Sequence, residues 1–405
     1  MSGPLRGVRV FDLTRILAGP TCTQILGDLG ADVIKIERPG SGDDTRKFGP
    51  PFLVDEEGRD TSESAYFLGI NRNKRSLTLD LTKPEGQEIA RRLVARCDVL
   101  VENFRAGGLA KYGLSYDQLK SDLPGLVYCS ITGFGQTGPY AARPGYDIQI
   151  QAMSGIMSIT GEPEGEPQKV GVPIADIMSG MYAAIGINAA LRHREVTGEG
   201  QHIDIGMLDT QVATLSMQGM NFLTTGKAPA RLGNAHPNIV PYQVFKAADG
   251  HLVIAVGNDR QFERFCEFAG VAELASDEKF RTNEARVRNR KELIARLESV
   301  VAGHPRQYWL DGLEPLNVTC GPINTIDQVF ADPQVRFRGM KFEMSHPLAG
   351  DEPISLIANP IRMSATPPSY DHPPPTLGRH TDELLRELLG SDDDEIKALR
   401  ERGVI

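Results

Sequence analysis

The stretch GVRVFDLTRILAGPTCTQILGDLGADVIKIER (7–38) decides the fold class, because it holds two strand patterns separated by a helix pattern. The runs 7–13 and 32–38 are rich in Val, Ile and Phe, as β-strands are. Between them, 21–30 follows a Gly-Pro break and spaces its apolar residues along one helical face, with Thr21 as the expected cap. This order predicts two parallel strands joined by a crossover helix.

The same alternation continues along the N-terminal half. Strand patterns recur at 76–81, 98–104 and 126–132, and 83–97 has the spacing of an amphipathic helix. Repetition of strand and helix predicts an α/β fold in which a mainly parallel sheet is flanked by helices.

The pattern changes after about residue 226. The run 242–257 is typical of a β-hairpin, and helical spacing follows at 259–269 and 291–303. A chain of 405 residues also exceeds the usual size of a single core. We therefore expect a large domain, a smaller α+β domain and a C-terminal segment that returns to the large domain, with bounds 1–225, 226–330 and 331–405.

Composition argues against several classes of protein. The net charge of −9 argues against nucleic-acid binding. Five scattered cysteines without a CxxC pair indicate reduced thiols, and no HExxH or close histidine pair indicates a metal site. No run of about 20 apolar residues and no secretory signal is evident, so we expect a cytoplasmic protein that does not enter a membrane.

The segment GVPIADIMSGMYAAIGINAALRHREVTGEGQ (171–201) carries one acid, Asp176, among apolar and small residues at the start of a helical pattern. Unpaired N–H groups and the positive end of the helix dipole are expected to keep this carboxylate ionised. Glycine and alanine at 180, 183, 184 and 186 predict close helix packing. A capping role alone would also explain an aspartate here.

Several further motifs accompany the Asp176 segment in a fixed order along the whole chain. They are IERPG (36–40), NRNKRSLTLDL (71–81), VENFRAGGLAKYGL (101–114), ITGFGQTGP (131–139) and CGPINTIDQVFADPQV (320–335). Together they resemble the class III CoA-transferases, also called the CaiB/BaiF or formyl-CoA transferase family. The run 233–262 is similar to the branch of succinate–hydroxymethylglutarate (glutarate) CoA-transferases.

The resemblance implies an acyl-CoA:carboxylate CoA-transferase in which Asp176, within P-x-x-D-x-x-x-G, forms anhydride and thioester intermediates. Coenzyme A and acyl-CoA would be substrates, with no tightly bound cofactor, and the protein would be an interlocked homodimer. The donor implied is succinyl-CoA or a similar compound, and the acceptor a short dicarboxylate. The implied cofactor-binding residues are Ala18, Arg38, Leu79, Asn103, Phe104, Lys111, Tyr146 and Asp147. Read by themselves, Arg38 and Lys111 could be surface charges and Phe104 a core residue.

Three departures from the formyl-CoA enzyme argue against specificity for formate or oxalate. Leu17 stands where the formyl-CoA enzyme has glutamine, and Pro144 stands where that enzyme has a CoA-contacting lysine. The loop 231–242 replaces that enzyme's glycine-rich loop, and within it Gly233, Asn234 and His236 are candidates for binding the second carboxylate of a dicarboxylate. A histidine followed by proline could equally fix a loop turn.

Two alternatives differ in function. An acyl-CoA racemase of the same family moves a proton next to the thioester with a histidine, whereas this chain has Tyr146, whose ordinary pKa of about 10 suits that role poorly. A non-catalytic CoA-binding protein would not need Asp176. Turnover of any acyl-CoA and acid separates an enzyme from a binding protein.

Overall fold

The structure, a computed structural model, describes residues 3–405. Its strands are β1 (Arg9–Asp12), β2 (Asp32–Glu37), β3 (Phe52–Val54), β4 (Asp60–Ser64), β5 (Lys74–Thr78), β6 (Val99–Glu102), β7 (Val127–Thr132), β8 (His202–Gly206), β9 (Tyr242–Ala247), β10 (Gly250–Ala255), β11 (Thr319–Pro322), β12 (Lys341–Met344) and β13 (Ile354–Ile357).

The α-helices are α1 (Ala18–Asp28), α2 (Ala65–Ile70), α3 (Pro84–Val94), α4 (Tyr116–Leu119), α5 (Asp147–Met153), α6 (Ile156–Ile159), α7 (Ile174–Thr197), α8 (Met207–Ala213), α9 (Ser216–Thr225), α10 (Asp259–Phe268), α11 (Glu273–Ser276), α12 (Asn283–Arg288), α13 (Arg290–Val301), α14 (Arg306–Leu313), α15 (Ile326–Ala331), α16 (Pro333–Phe337), α17 (Thr381–Leu389) and α18 (Asp393–Glu401). Short 3₁₀ turns lie at Asp44–Lys47, Ala110–Tyr112 and Glu314–Leu316.

Internal contacts divide the chain into two compact units. The first contains the described residues up to Ser154 together with Val170–Thr214 and Pro333–Ile405, and the second contains Gly155–Lys169 and Leu215–Asp332. The domain bounds drawn from the sequence stay predictions. The predicted fold class is confirmed: the first unit holds a parallel sheet flanked by helices, and the second combines a three-stranded antiparallel sheet with helices.

The large sheet has the strand order β5-β2-β1-β6-β7-β8, and every pair in it is parallel. The chain order reverses direction between β1 and β6. In open α/β sheets, ligands bind at the carboxyl ends of the strands on either side of such a reversal. The topology therefore directs attention to the loops after Asp12 and Glu102.

Alternate residues of the strands point to opposite faces of this sheet, and each face has its own apolar core. One core joins Phe11 and Leu100 to α3, α17 and α18, so that the C-terminal helices pack on the sheet. The other joins Val10 and Val101 to α1 and α7. A third core, around Trp309, lies within the second unit.

One helix begins earlier than the sequence predicts. We expected Thr21 to cap it, but α1 begins at Ala18, after Leu17, and Pro20 lies in its first turn. Proline is tolerated there because first-turn N–H groups have no partner within the helix. The loop after β1 is therefore only residues 13–17, and the start of α1 lies beside the carboxyl edge of the sheet.

We found no run of about 20 apolar residues in the sequence, but one helix, α7, is long and apolar enough to cross a membrane by the criteria of length and composition. In the structure, however, this helix packs along α1 and against β7 and β8. A core helix of this kind passes the same test as a membrane helix.

Candidate active site

The loops that follow β1 and β6 are joined by one side chain, Asn103. The backbone N–H of Arg15 donates to Asn103 Oδ1 at 3.1 Å, and Asn103 Nδ2 donates to the Arg15 carbonyl at 2.6 Å. These two hydrogen bonds therefore hold together the two loops that lie on either side of the reversal in strand order.

A cavity of about 690 Å³, which we call the Asp176 cavity, opens at this edge. It brings together most of the residues singled out from the sequence, although these stay predictions as functional residues. Those that line it are Ala18, Asn103, Phe104, Lys111, Tyr146, Asp147 and Asp176. Pro144, which stands where the formyl-CoA enzyme has a lysine, lines it as well.

Arg38 and Leu79 line a second cavity of about 360 Å³, the Arg38 cavity. The two cavities share four lining residues, namely Arg15, Asp44, Phe104 and Tyr112. They are therefore neighbours along one edge of the sheet. An elongated ligand can extend from Arg38 to Asp176 through this junction.

Asp176 is the third residue of α7, which begins after Pro173. Gly180, one turn later on the same face, packs on the start of α1: a Cβ added there would lie 2.5 Å from the Ala18 carbonyl oxygen. A larger residue at 180 would separate the two helices. The predicted close packing at Gly180 is therefore confirmed, and it holds Asp176 near Ala18.

A second carboxylate, that of Asp147, is fixed beside Asp176. Asp147 Oδ1 accepts the N–H of Ala175 at 2.9 Å, and Asp147 Oδ2 accepts the Gln151 amide at 2.7 Å. Burial, and then the charge of Asp147, raises the pKa of Asp176 to about 7. The expectation that the helix start keeps Asp176 ionised did not include this desolvation and this like charge, both of which oppose ionisation.

The Tyr146 ring is largely exposed at the mouth of the Asp176 cavity. Its backbone is placed by two glycines in contact, since a Cβ built on Gly145 would lie 2.3 Å from the Gly133 Cα. The Lys111 ammonium group lies over the ring of Tyr112, with Nζ 4.7 Å from the ring centroid. Leu79 is buried, whereas Arg38 is exposed in the Arg38 cavity.

Sequence reasoning missed several residues that line the cavities. Arg15 and Asp44 form an ion pair of 2.9 Å at the junction of the two cavities. Arg143 lines the Asp176 cavity and stacks over Tyr140 at 3.9 Å. The rule that ligands bind after the carboxyl ends of parallel strands could have indicated Arg15.

Gly233, Asn234 and His236 belong to the second unit, where they shape a loop. Asn234 Oδ1 accepts the N–H of Val244 at 3.1 Å, and His236 Nδ1 accepts the N–H of Asn238 at 3.1 Å. Gly233 has a φ of 60°, a conformation that glycine adopts without strain. Among residues 3–405, the other ring nitrogen of His236 has no hydrogen-bond partner, so it is free to donate to a ligand.

Comparison with known proteins gives a consistent result. The family model "CoA-transferase family III" matches residues 5–381. The chain is 50% identical over 385 residues to the succinate–glutarate CoA-transferase of Agrobacterium fabrum, covering 95% of this chain and 96% of that protein. It is 45% identical over 402 residues to the succinyl-CoA:glutarate CoA-transferase of Homo sapiens, covering 99% and 90%.

Solved structures agree. A CaiB/BaiF family protein from Brucella suis superposes with a TM-score of 0.83 at 50% identity, covering 96% of this chain and 100% of that one. The Rv3272 protein of Mycobacterium tuberculosis superposes with a TM-score of 0.82 at 32% identity, covering 94% and 98%. With matches over nearly its whole length, the chain belongs to CoA-transferase family III.

Proposed function

We propose that this enzyme transfers coenzyme A from succinyl-CoA to a short dicarboxylate such as glutarate, with Asp176 as the nucleophile. The observation that carries the proposal is the position of Asp176, a largely buried carboxylate in a cavity lined by the residues implied to bind CoA. The substrates of the relatives from Agrobacterium fabrum and Homo sapiens support the choice of acyl donor and acceptor.

In the first half-reaction, the Asp176 carboxylate attacks the thioester carbonyl of succinyl-CoA, and the C–S bond breaks. A mixed anhydride forms and CoA leaves as its thiolate. The thiolate then attacks the aspartyl carbonyl and releases succinate, which leaves an aspartyl-CoA thioester. A carboxylate suits this role because its acyl derivative is activated enough to be passed on.

In the second half-reaction, the acceptor carboxylate attacks the aspartyl thioester and again expels the thiolate. The thiolate attacks the acceptor carbonyl of the new anhydride, which yields the product acyl-CoA and restores the Asp176 carboxylate. Water would hydrolyse both intermediates, so a shielded site is required. The burial that raises the pKa of Asp176 is consistent with such shielding.

The cofactor-binding role of each residue is inferred from the family resemblance, and the lining of the two cavities is compatible with it. Arg38 and Leu79 bind the nucleotide end, and Lys111 binds the diphosphate. Asn103, Phe104 and Ala18 line the path of the pantetheine, while Tyr146 and Asp147 enclose the reaction centre. No tightly bound cofactor takes part, because CoA itself is the group transferred.

The second carboxylate of the acceptor binds Gly233, Asn234 and His236. A charged group brought into a closed site needs donors, because an unpaired charge there is costly. Support comes from the His236 ring nitrogen that has no partner among the described residues. The Asn234 amide N–H₂ is likewise without a partner in residues 3–405.

The enzyme acts as an interlocked homodimer in the cytoplasm. Both units expose large apolar side chains, which would be costly to leave in water over a wide area. In the first unit these include Ile148, Ile185 and Phe337, the last of which is 88% exposed; in the second they include Leu223 and Ile326. All five cysteines are unpaired, as is usual in a reducing compartment.

The test is a coupled screen in which succinyl-CoA is incubated with a panel of carboxylic acids and new acyl-CoA species are identified by mass spectrometry. We expect glutaryl-CoA to form with wild type and not with Asp176→Asn. Absence of any new thioester would overturn the proposal in favour of a CoA-binding protein. Deuterium entering C2 of a branched acyl-CoA in heavy water, without transfer, would identify a racemase.

A further inference from the structure

The hydroxyl group of Thr132 is buried and makes no hydrogen bond within the described residues 3–405. Thr132 is the last residue of the buried strand β7 and is 8% exposed. Because an unsatisfied buried hydroxyl is destabilising, such a group calls for an explanation in function.

Thr132 lines the Asp176 cavity, at the carboxyl end of its strand. Direct contacts lead from it to the nucleophile. Gly133, the next residue, touches Gly145 backbone to backbone. Two residues later, Asp147 accepts the N–H of Ala175 at 2.9 Å, and Ala175 immediately precedes Asp176. The threonine and the aspartate therefore line the same cavity and are linked by backbone contacts.

We propose that the Thr132 hydroxyl donates a hydrogen bond to the oxygen of the thioester carbonyl whose carbon the Asp176 carboxylate attacks, and so stabilises the oxyanion of the tetrahedral intermediates. This role rests on the proposed mechanism at Asp176. When the carboxylate adds to the thioester, the carbonyl π electrons move onto oxygen, and the negative charge is relieved when the C–S bond breaks. The proton stays on Thr132 throughout, so no acid or base is consumed.

Burial is what makes this hydroxyl effective. A donor that is already desolvated and fixed does not need to reorganise when charge develops on the substrate. The Tyr146 hydroxyl offers less, because its side chain is 68% exposed and solvated. A neutral donor also leaves the ionisation of Asp176 unaffected, unlike an added cation.

The test compares Thr132→Val, which replaces the hydroxyl by a methyl group of similar size, with Thr132→Ser, which keeps it. Gln211→Met is the matched control. Gln211 is fully buried with both amide atoms unpaired among residues 3–405, but it does not line the Asp176 cavity. For each variant, kcat, KM for succinyl-CoA and the unfolding midpoint are measured.

We expect Thr132→Val to lower kcat by about 10²-fold or more with little change in KM, while its unfolding midpoint stays equal or rises. Serine should restore most of kcat, and Gln211→Met should leave kcat unchanged. A Thr132→Val enzyme within threefold of wild-type kcat would overturn the proposal. So would a clear loss of its stability, since the hydroxyl would then have a structural partner.

The rate of hydroxylamine-trapped adduct formation at Asp176 gives a second readout. It should slow in Thr132→Val with any acyl-CoA that labels wild type. If the wild-type enzyme is labelled at Asp176 but does not transfer CoA to glutarate, only the proposed acceptor is refuted. Equal labelling rates in wild type and Thr132→Val would refute the role of Thr132 alone.

Discussion

Asp147 Oδ1 accepts the backbone N–H of Ala175 at 2.9 Å, so that one carboxylate is attached to the helical turn that presents another. The same contact that positions Asp176 therefore also opposes its ionisation. Burial and the charge of Asp147 together bring the pKa of Asp176 to about 7. The activity and the stability of the enzyme should both reflect this arrangement.

The first prediction concerns the pH dependence of activity. Only the ionised carboxylate attacks, so kcat/KM for the acyl-CoA should rise with pH and reach half its limit near 7. Asp147→Asn removes the like charge and should shift this midpoint to lower pH. Initial rates between pH 5 and 9 measure it; a midpoint that is the same in both proteins would show that Asp147 does not influence Asp176.

The second prediction concerns Asp176→Asn. The amide cannot form an anhydride, so transfer should be lost and hydroxylamine should no longer label the peptide that contains residue 176. Stability should change in the opposite direction. Because the folded pKa lies above the ordinary 3.8, ionisation of Asp176 destabilises the fold progressively as pH rises from about 4 to 7.

Asn should therefore stabilise the protein by up to roughly 4 kcal/mol at pH 8 and by much less at pH 4. Urea unfolding at the two pH values tests this. Asp327→Asn is a suitable control because that side chain is exposed and its pKa is lowered, which gives the opposite sign. Residual transfer by Asp176→Asn, or labelling elsewhere, would refute the assignment of the nucleophile.

The third prediction concerns Ile16, a β-branched residue with a φ of 72° in the loop after β1. The N–H of Ile16 donates to Asp43 Oδ1 at 3.3 Å. Asp43 Oδ2 in turn forms a buried ion pair with Lys35 Nζ at 2.8 Å. The left-handed conformation costs about 1–2 kcal/mol for a β-branched residue such as isoleucine. The surrounding contacts therefore maintain a strained loop that lines the Asp176 cavity.

Ile16→Gly and Ile16→Ala lose the same side-chain packing but differ in strain. We expect the glycine variant to be the more stable by about 1 kcal/mol, the reverse of the usual order, and to lose more kcat because its loop is looser. Thermal unfolding and steady-state rates of the pair decide it. If the alanine and glycine variants have the same stability and the same kcat, backbone strain at residue 16 has no role in this loop.

The fourth prediction concerns assembly. Phe337, Ile326 and Leu223 are exposed in the single chain. If they are buried between two chains, as proposed, light scattering at micromolar concentration should show a dimer. Interlocked chains can separate only by partial unfolding, so differently labelled dimers should exchange subunits over hours rather than minutes. A monomer would contradict the dimer, and rapid exchange would contradict the interlocking.

The fifth prediction concerns acceptor choice. If His236 binds the second carboxylate, His236→Ala should lower kcat/KM for glutarate and succinate by about tenfold and leave that for butyrate nearly unchanged. His251→Ala, which removes an exposed histidine of the same unit, is the control. An unchanged ratio of dicarboxylate to monocarboxylate in the His236 variant would eliminate this role for the loop.

Much of the fold could be predicted because its determinants are local. Strand and helix periodicity between residues 7 and 132 indicated the parallel sheet, and the order of the elements indicated its class. The start of α1 was misplaced because no side chain caps it: its first turn is determined by packing, with Gly180 against Ala18, rather than by a local signal.

By itself, the sequence determined the fold class, the family and the candidate nucleophile, since periodicity and ordered motifs are properties of the chain alone. Only the tertiary structure decided the ionisation of Asp176, the strain at Ile16 and the unpaired hydroxyl of Thr132. The physical reason is that each of these three features depends on the surroundings of a group. Water and hydrogen-bond partners are kept away from the Asp176 carboxylate and the Thr132 hydroxyl, and neighbouring contacts hold the backbone of Ile16. In this protein, those surroundings are formed by residues that are far apart in the chain and meet where β1, β6 and β7 end.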